Sequence, residues 1–349
     1  MREVRIGRHT VGPDHRPFVI AEMSGNHNGS LDRALAIVDA VAASGAQALK
    51  LQTYRADTIT IDVDAPAFRI SADHSLWGGE SLYSLYEKAH TPWEWHAPIF
   101  ERAAAQGLTV FSSPFDATAI DLLESLDTPA YKIASAEIVD LPLVELCART
   151  GKPLVISTGM ANVAEIHAAV TTARAVGNDQ LIVLGCTAAY PASPTDSNIR
   201  GIPLLADAFD VIPGLSDHTL GIGVPVAAVA LGACLIEKHV TLDRGDGGVD
   251  SEFSLEPAEL GALVVETERA WQALGAPRIG PRDSEREVLR LRRSLYVVAD
   301  VAEGDEVTAA NVRSIRPSGG LPPVELSTVL GRRFRAAAAK GTPLTWDLV

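Results

Sequence analysis

Short apolar runs recur through the first two-thirds of the chain, and nearly every one ends in a residue able to do chemistry. FVIAEM (18–23) carries Glu22, ALKLQT (48–53) carries Lys50 and Gln52, and LTVFSSPF (108–115) carries Ser112 and Ser113. AYKIASAE (130–137) carries Lys132, Ser135 and Glu137, PLVISTGM (153–160) carries Ser157 and Thr158, and LIVLGCTAAY (181–190) ends at Tyr190. DVIPGLSDHT (210–219) supplies Ser216, Asp217 and His218, and CLIEKHVTL (234–242) supplies Glu237, Lys238 and His239. The runs are continuous rather than alternating, the pattern of parallel strands covered on both faces. Helix-like stretches separate them. LDRALAIVDAVAAS (31–44) sits between Ser30 as N-cap and Gly45 as stop, and ATAIDLLESL (117–126) follows Asp116 in the same way. ANVAEIHAAVTTARAV (161–176), the almost wholly apolar GVPVAAVALGA (223–233) and PAELGALVVETERAWQAL (257–274) continue the series. Strand followed by helix, eight times over, predicts closure into a (β/α)8 TIM barrel. Such a barrel builds its active site from the C-terminal ends of its strands. Polar groups at that end of all eight predict one shared pocket.

Two regions break the rhythm. Residues 55–80 are poorly periodic and read as a long loop at the barrel's top face, where long loops carry function. LYSLYEKAHTPWEWHAPIFERAAAQ then returns to helix, interrupted at Pro92. Around 276–290 the chain becomes polar and charged, which predicts a linker with a helical portion. The remaining residues, 291–349, have short strands, Gly/Pro turns and one helical turn at ELSTVLG, which predicts a small β-rich domain. The expected division is a barrel over 1–275, a linker over 276–290 and the small domain over 291–349.

Hydrophobic residues make up 47% of the 349, enough for a large core, yet no apolar run approaches the roughly 18 residues of a membrane span. The N-terminus lacks the apolar segment of a signal peptide, and Cys147, Cys186 and Cys234 are isolated, which predicts reduced core thiols in a cytoplasmic protein. A net charge of −14 disfavours nucleic acid and anionic membrane as partners. It does not exclude an anionic substrate, because screening confines surface charge to about 8 Å and a few buried lysines set the local sign.

His218 and His239 end neighbouring strands, where two imidazoles can share one divalent ion and leave coordination positions for water and substrate. The plainer alternative is two satisfied core histidines. Lys50, Lys132 and Lys238 sit in strands, where a lone ammonium is costly. Each either pairs with a carboxylate such as Glu137 or Glu237, or binds a substrate anion together with Ser113, Ser135, Ser157 and Ser216. A Schiff-base lysine is a third reading. Glu22, ahead of SGNHNG, is placed for general acid/base work. Trp77, Tyr83, Tyr86, Trp93 and Trp95 form either a satellite core under the long loop or an apolar wall for a sugar ring or its N-acetyl groups.

In this order, AEMSGNHNG, KLQTY, SSPFD, YKIASAE, STGM, LSDHT, EKH and GGVDSEFSLEP resemble the nonulosonic (sialic) acid synthase family over almost the whole chain. That family joins a barrel to a small antifreeze-like (SAF) domain, here the region of RRSLYVVADVAEGD and RSIRP. It condenses phosphoenolpyruvate with an open-chain amino-sugar aldehyde. The resemblance implies that His218 and His239 bind a divalent metal, Mn²⁺ with Mg²⁺ or Co²⁺ as alternatives. It implies that Lys50, Ser113, Lys132, Ser135, Ser157 and Ser216 hold phosphoenolpyruvate and that Glu22 is the catalytic acid. Gln52, Glu137, Tyr190 and Asp250 fall on the sugar side, and Arg316 matches an arginine that reaches the sugar, often from the other subunit of a domain-swapped homodimer. ESLYSLYEKAHTPWEWH, with Trp77 upstream, is similar to the pseudaminic acid branch more than to N-acetylneuraminate synthases. Ala188 stands where sialic acid synthases tend to carry Asn, which points to a different sugar, with the legionaminic precursor as the neighbouring option.

Overall fold

The computed structural model describes residues 3–71 and 78–349. The chain divides into two compact units, Met1–Gly275 and Ala276–Val349.

The first unit opens with an antiparallel hairpin of β1 (Val4–Ile6) and β2 (His9–Val11), which the apolar pattern did not announce. Eight parallel strands then close into a barrel: β3 (Phe18–Glu22), β4 (Ala48–Thr53), β5 (Thr109–Pro114), β6 (Tyr131–Ile133), β7 (Leu154–Ser157), β8 (Leu181–Cys186), β9 (Ile212–Asp217) and β10 (Leu235–His239). The last strand pairs back onto the first, with His239 opposite Glu22. The expected barrel is therefore present. Several runs overshoot their strands: Ser135, Glu137 and Tyr190 lie past the ends of β6 and β8, in the loops above.

The helices are α1 (Leu31–Ser44), α2 (Ala56–Ile59), α3 (Leu82–Ala89), α4 (Trp93–Ala105), α5 (Ala117–Ser125), α6 (Leu141–Arg149), α7 (Val163–Ala175), α8 (Ile202–Phe209), α9 (Gly223–Ala230) and α10 (Pro257–Leu274). Their limits follow local chemistry. Ser30 accepts a hydrogen bond from Arg33 N at the start of α1, and Gly45 adopts φ +83° at its end, a left-handed cap that an L side chain rarely takes. Buried Ala34, Ile37, Val38 and Val41 mark the face of α1 that packs inward. Of these, the sequence pattern leaves α2, α6 and α8 unassigned.

Strand alternation divides the buried residues into two populations. Ile236 of β10, Val19 and Ala21 of β3 and Leu49 and Leu51 of β4 pack outward with α1, α4, α9 and α10. Phe18, Ile20, Ala48, Phe111, Val155, Ile182, Leu184, Ile212 and Leu235 fill the barrel interior with Val4, Ile6 and Val11 of the hairpin. A Cβ at Gly214 would meet Leu184 Cδ2 at 2.5 Å and Leu235 O at 2.6 Å, so β9 has room only for glycine there. The lower interior is thus an apolar plug. Chemistry is confined to the layers above it.

In the second unit β11 (Ser294–Val297) pairs antiparallel with β12 (Val312–Ile315) around Leu295, Val297, Val307, Val312, Phe334 and Leu344. Two single-turn helices, α11 (Arg286–Leu289) and α12 (Leu326–Val329), complete it.

Candidate active site

The inward positions of each strand read apolar at the bottom and polar at the top, because successive side chains point to opposite faces. On β3 the column is Phe18, Ile20, Glu22; on β10 it is Leu235, Glu237, His239; on β9 it is Ile212, Gly214, Ser216. Lys50, Ser113, Lys132 and Ser157 sit in the upper part of their own columns, and all are buried.

At the centre lies a cluster of two lysines and two glutamates. Lys50 Nζ is 2.6 Å from Glu22 Oε2 and 3.6 Å from Glu237 Oε1, and Lys132 Nζ is 3.7 Å from the same Glu237 oxygen. Lys50 donates to Ser113 Oγ at 3.3 Å, and Ser216 Oγ donates to Glu237 at 3.2 Å. Burial alone would discharge all four groups. It pushes the Lys50 ammonium toward its neutral form, but Glu22 and Glu237 outweigh burial and hold Lys50 above the ordinary lysine range. Lys132 has less support. Burial, reinforced by the Lys50 charge, draws it below the usual range against Glu237. Burial raises Glu237 but the two lysines overcome it, whereas Glu22 ends above the carboxylate range. An anion brought beside Lys132 would favour its charged form. The site is arranged to gain from an acidic ligand.

Above this cluster the His218 and His239 rings lie 5.3 Å apart, centre to centre. His218 Nδ1 donates to the Thr187 carbonyl at 2.8 Å, which orients the ring; burial lowers its pKa, but Cys186 and the Thr187 carbonyl outweigh burial and hold it above the ordinary imidazole value. His239 is buried, its Nδ1 has no protein hydrogen-bond partner, and Asp250 Oδ2 is 3.7 Å away. Burial among His218, Lys50, Lys238 and Lys132 holds His239 well below the ordinary imidazole range, so it is neutral as a ligand nitrogen must be. Among the described residues no group of three or more His, Cys, Asp or Glu side chains is set around one point. The unpartnered Nδ1 of His239 beside the His218 ring fits an open divalent-ion site of two imidazoles, and two donors do not make a closed four-ligand structural site.

The top of β4 and the loops above the strands add the rest. Gln52 donates to Glu22 at 2.8 Å, and Ser24 donates a short hydrogen bond to Asp250. Tyr190 packs on His218 with ring centres 4.4 Å apart. Ser135 Oγ accepts from Gly159 N at 3.0 Å, and Glu137, raised by burial, feels Lys132. Ser24, Gln52, Tyr190, His239 and Asp250 face a cavity of about 400 Å³.

Several sequence expectations need correction. Strand-end polar residues do not all share the pocket. Ser112, Asp217 and Lys238 have the opposite parity and face the helices, where Lys238 pairs with Asp217 at 2.6 Å. The aromatic cluster is not one wall. Tyr86 lines the cavity, but Trp95 packs into the outer core against His27, and Arg55 covers the Trp93 ring at 3.9 Å. Trp77 lies outside the described residues. Cys147 and Cys234 are buried core thiols, but Cys186 is half-buried and its thiol hydrogen-bonds His218. The sequence reading passed over Cys186, Glu237 as the hub of both lysines, and Ser24. The parity of β8 and β10 carries the first two, once register is known. Arg316 belongs to the second unit, at the end of β12, and is exposed.

A closed parallel barrel with a buried lysine–glutamate cluster and an imidazole pair at its C-terminal mouth defines an enzyme that handles an anionic substrate beside a polarisable group. The chain belongs to the NeuB family, whose profile matches residues 37–278, and residues 292–349 match the SAF domain. It is 41% identical to the pseudaminic acid synthase of Helicobacter pylori over 333 residues, 95% of this chain and 97% of that protein. It is 38% identical to the N,N'-diacetyllegionaminic acid synthase of Legionella pneumophila, covering 95% of this chain and 94% of the other. The solved structure of an N-acetylneuraminic acid (sialic acid) synthetase from Leptospira borgpetersenii, in complex with citrate, superposes with a TM-score of 0.73 at 33% identity, over 82% of this chain and 95% of that one.

Proposed function

We propose that the chain condenses phosphoenolpyruvate with an open-chain 2,4-diacetamido-2,4,6-trideoxy hexose, giving a nine-carbon nonulosonic acid and phosphate, as a pseudaminic acid synthase. The observation that carries this reading is the under-neutralised Lys132 beside Lys50, directly below two imidazoles, in a chain so similar over its length to a pseudaminic acid synthase. Lys50, Lys132, Ser113, Ser135, Ser157 and Ser216 hold the carboxylate and phosphate of phosphoenolpyruvate. Gln52, Glu137, Tyr190 and Asp250 orient the sugar, and Arg316 joins them from the SAF domain of a partner subunit in a domain-swapped homodimer.

His218 and His239 hold a divalent ion, Mn²⁺ in this reading, which when bound supplies Lewis-acid polarisation of an aldehyde oxygen. The carbon–carbon bond forms between carbon 3 of phosphoenolpyruvate and the aldehyde carbon, whose oxygen takes a proton and becomes a hydroxyl. Water adds at carbon 2 and gives up a proton. Phosphate then leaves with the bridging oxygen, so the C–O bond breaks. Glu22, raised toward its protonated form, stands where a proton must be delivered or removed. Positioning and preset charge supply most of the acceleration.

Phosphate release should require both substrates, stop with EDTA and return with Mn²⁺. Label from ¹⁸O in the phosphoenolpyruvate bridge should leave in phosphate. Turnover unaffected by chelation removes the ion from the scheme, and bridge label kept in the sugar acid removes C–O cleavage. The legionaminic precursor belongs in the same substrate panel, because the second relative is nearly as similar.

A further inference from the structure

The cavity beside His239 has two kinds of lining. One side is the polar arc of Ser24, Gln52, His239 and Asp250; the other is hydrocarbon, made by Ile70, Leu82, Leu85, Tyr86, Ala89 and Val249. Four of those six come from α3, a helix of eight residues in the segment inserted between β4 and β5. Its position is fixed by local bonds. Ser81 caps it by accepting from Ser84 N, and Ile70 N donates to Glu80 O at 2.9 Å while Gly79 N donates to Ile70 O at 3.2 Å, which ties Ile70 to the start of α3. Tyr86 leans edge-on against Tyr54, itself edge-on to Phe115. At the other end a Cβ on Gly25 would meet Val249 Cγ2 at 2.4 Å and Ala89 Cα at 3.2 Å, so the β3 loop, α3 and the Val249 loop converge there without space for a side chain.

We infer that this apolar arc is the sugar-selecting subsite, and that it reads deoxygenation and acylation through methyl groups. The inference rests on the functional reading above and deepens it. The proposed sugar carries three methyl groups, one in each acetamido group and carbon 6 itself. N-acetylmannosamine carries one, with hydroxyls at carbons 4 and 6 instead. Beside Leu82, Leu85 and Ile70 those hydroxyls lose water and find no partner, while the methyls are buried. The carbonyl chemistry at His218 and His239 is the same for both sugars. Discrimination then resides in α3, on side chains that take no part in the carbonyl chemistry.

The test compares Leu82→Asn and Leu85→Asn with the unaltered protein. The unaltered protein is expected to prefer the bis-acetamido trideoxy hexose over N-acetylmannosamine by at least a hundredfold in kcat/KM, about tenfold per lost methyl contact. Leu82→Asn, at the half-buried lip, should lower that ratio tenfold or more, with KM for phosphoenolpyruvate within twofold. A ratio unchanged in an active variant overturns the subsite. Saturation-transfer NMR on the unaltered protein with the sugar alone needs no variant to fold. The acetamido and carbon-6 methyl protons should receive the strongest transfer, and transfer centred on the ring protons overturns the inference. Failure of the parent reading looks different: no sugar in the panel then releases phosphate from phosphoenolpyruvate, in the unaltered protein itself.

Discussion

Lys238 and Lys132 stand at the same end of the barrel, on β10 and β6, and are equally dry, at 0% and 2% exposure. Their surroundings differ in completeness. Lys238 points outward to Asp217 at 2.6 Å and to the Thr219 carbonyl, and Asp217 also accepts from Thr219 N at 3.2 Å and Thr219 Oγ1 at 2.9 Å. Lys132 points inward to one carboxylate oxygen at 3.7 Å that it shares with Lys50. Around it, Glu237 Oε2, Ser157 Oγ and His239 Nδ1 have no protein hydrogen-bond partner. A buried charge that is fully partnered holds a structure together. One that is half partnered is held ready for a ligand, because leaving polar groups unmatched costs free energy that only binding recovers.

The largest effect should come from the inward set. Lys132→Met is expected to lower kcat/KM for phosphoenolpyruvate by about a thousandfold, equivalent to roughly 4 kcal/mol of transition-state binding. Stability should hold, since Lys132 comes no nearer than 3.7 Å to its carboxylate and Glu237 keeps Lys50. Phosphate release and thermal melting on the same sample separate the two. A variant that melts far lower but turns over normally would place Lys132 with Lys238.

The outward pair should show the reverse. Lys238→Met or Asp217→Asn alone strands a buried charge and should destabilise the fold by about 3–5 kcal/mol. Joint replacement by Leu at 217 and Met at 238 should recover most of that loss, because a buried pair is often no better than hydrocarbon of the same volume. Urea midpoints of the three variants measure this. Single variants with unchanged midpoints would mean that the pair is not the clasp its geometry indicates.

The contrast between the two lysines was out of reach for the sequence. IEKH offers Glu237, Lys238 and His239 in a row, and nothing local says which two point inward. The barrel itself was legible, because continuous apolar strands alternating with helices admit few closures. Parity at each strand end was not, since it depends on the register at which β10 pairs with β3 and β9. Glu237 was therefore read as one possible partner instead of the hub, and Lys238 as a candidate for the pocket. Cys186 was missed for the same reason: its facing is set by β8 register, and its type suggests core. The loop residues came by a different route. Asp250 has no periodic signal, and only the resemblance named it; Tyr190 was named as a strand end but lies past β8, in the loop above. The apolar arc of α3 was half seen, as aromatics, because Tyr and Trp draw attention in an aromatic-poor chain. Half of the α3 surface that faces the cavity is leucine, and a leucine in a helix says nothing about whether it covers core or ligand.

The smallest effect sharpens the comparison most. Ser157 Oγ is buried on β7 without a protein partner, whereas Thr219 Oγ1 is buried on the outward side with one. Ser157→Ala removes a hydroxyl that the folded protein alone does not satisfy, so stability should be unchanged or slightly higher. KM for phosphoenolpyruvate should rise about tenfold, the worth of one hydrogen bond to a charged group. Thr219→Val removes a satisfied hydroxyl of similar depth and should cost about 1 kcal/mol of stability with KM unaltered. Denaturant midpoints and initial rates on these two variants put the distinction on a single atom each. If Ser157→Ala lost stability and kept its KM, the open lone pairs of the inward layer would be packing defects rather than a binding surface, and the assignment of that layer to substrate would fail with them.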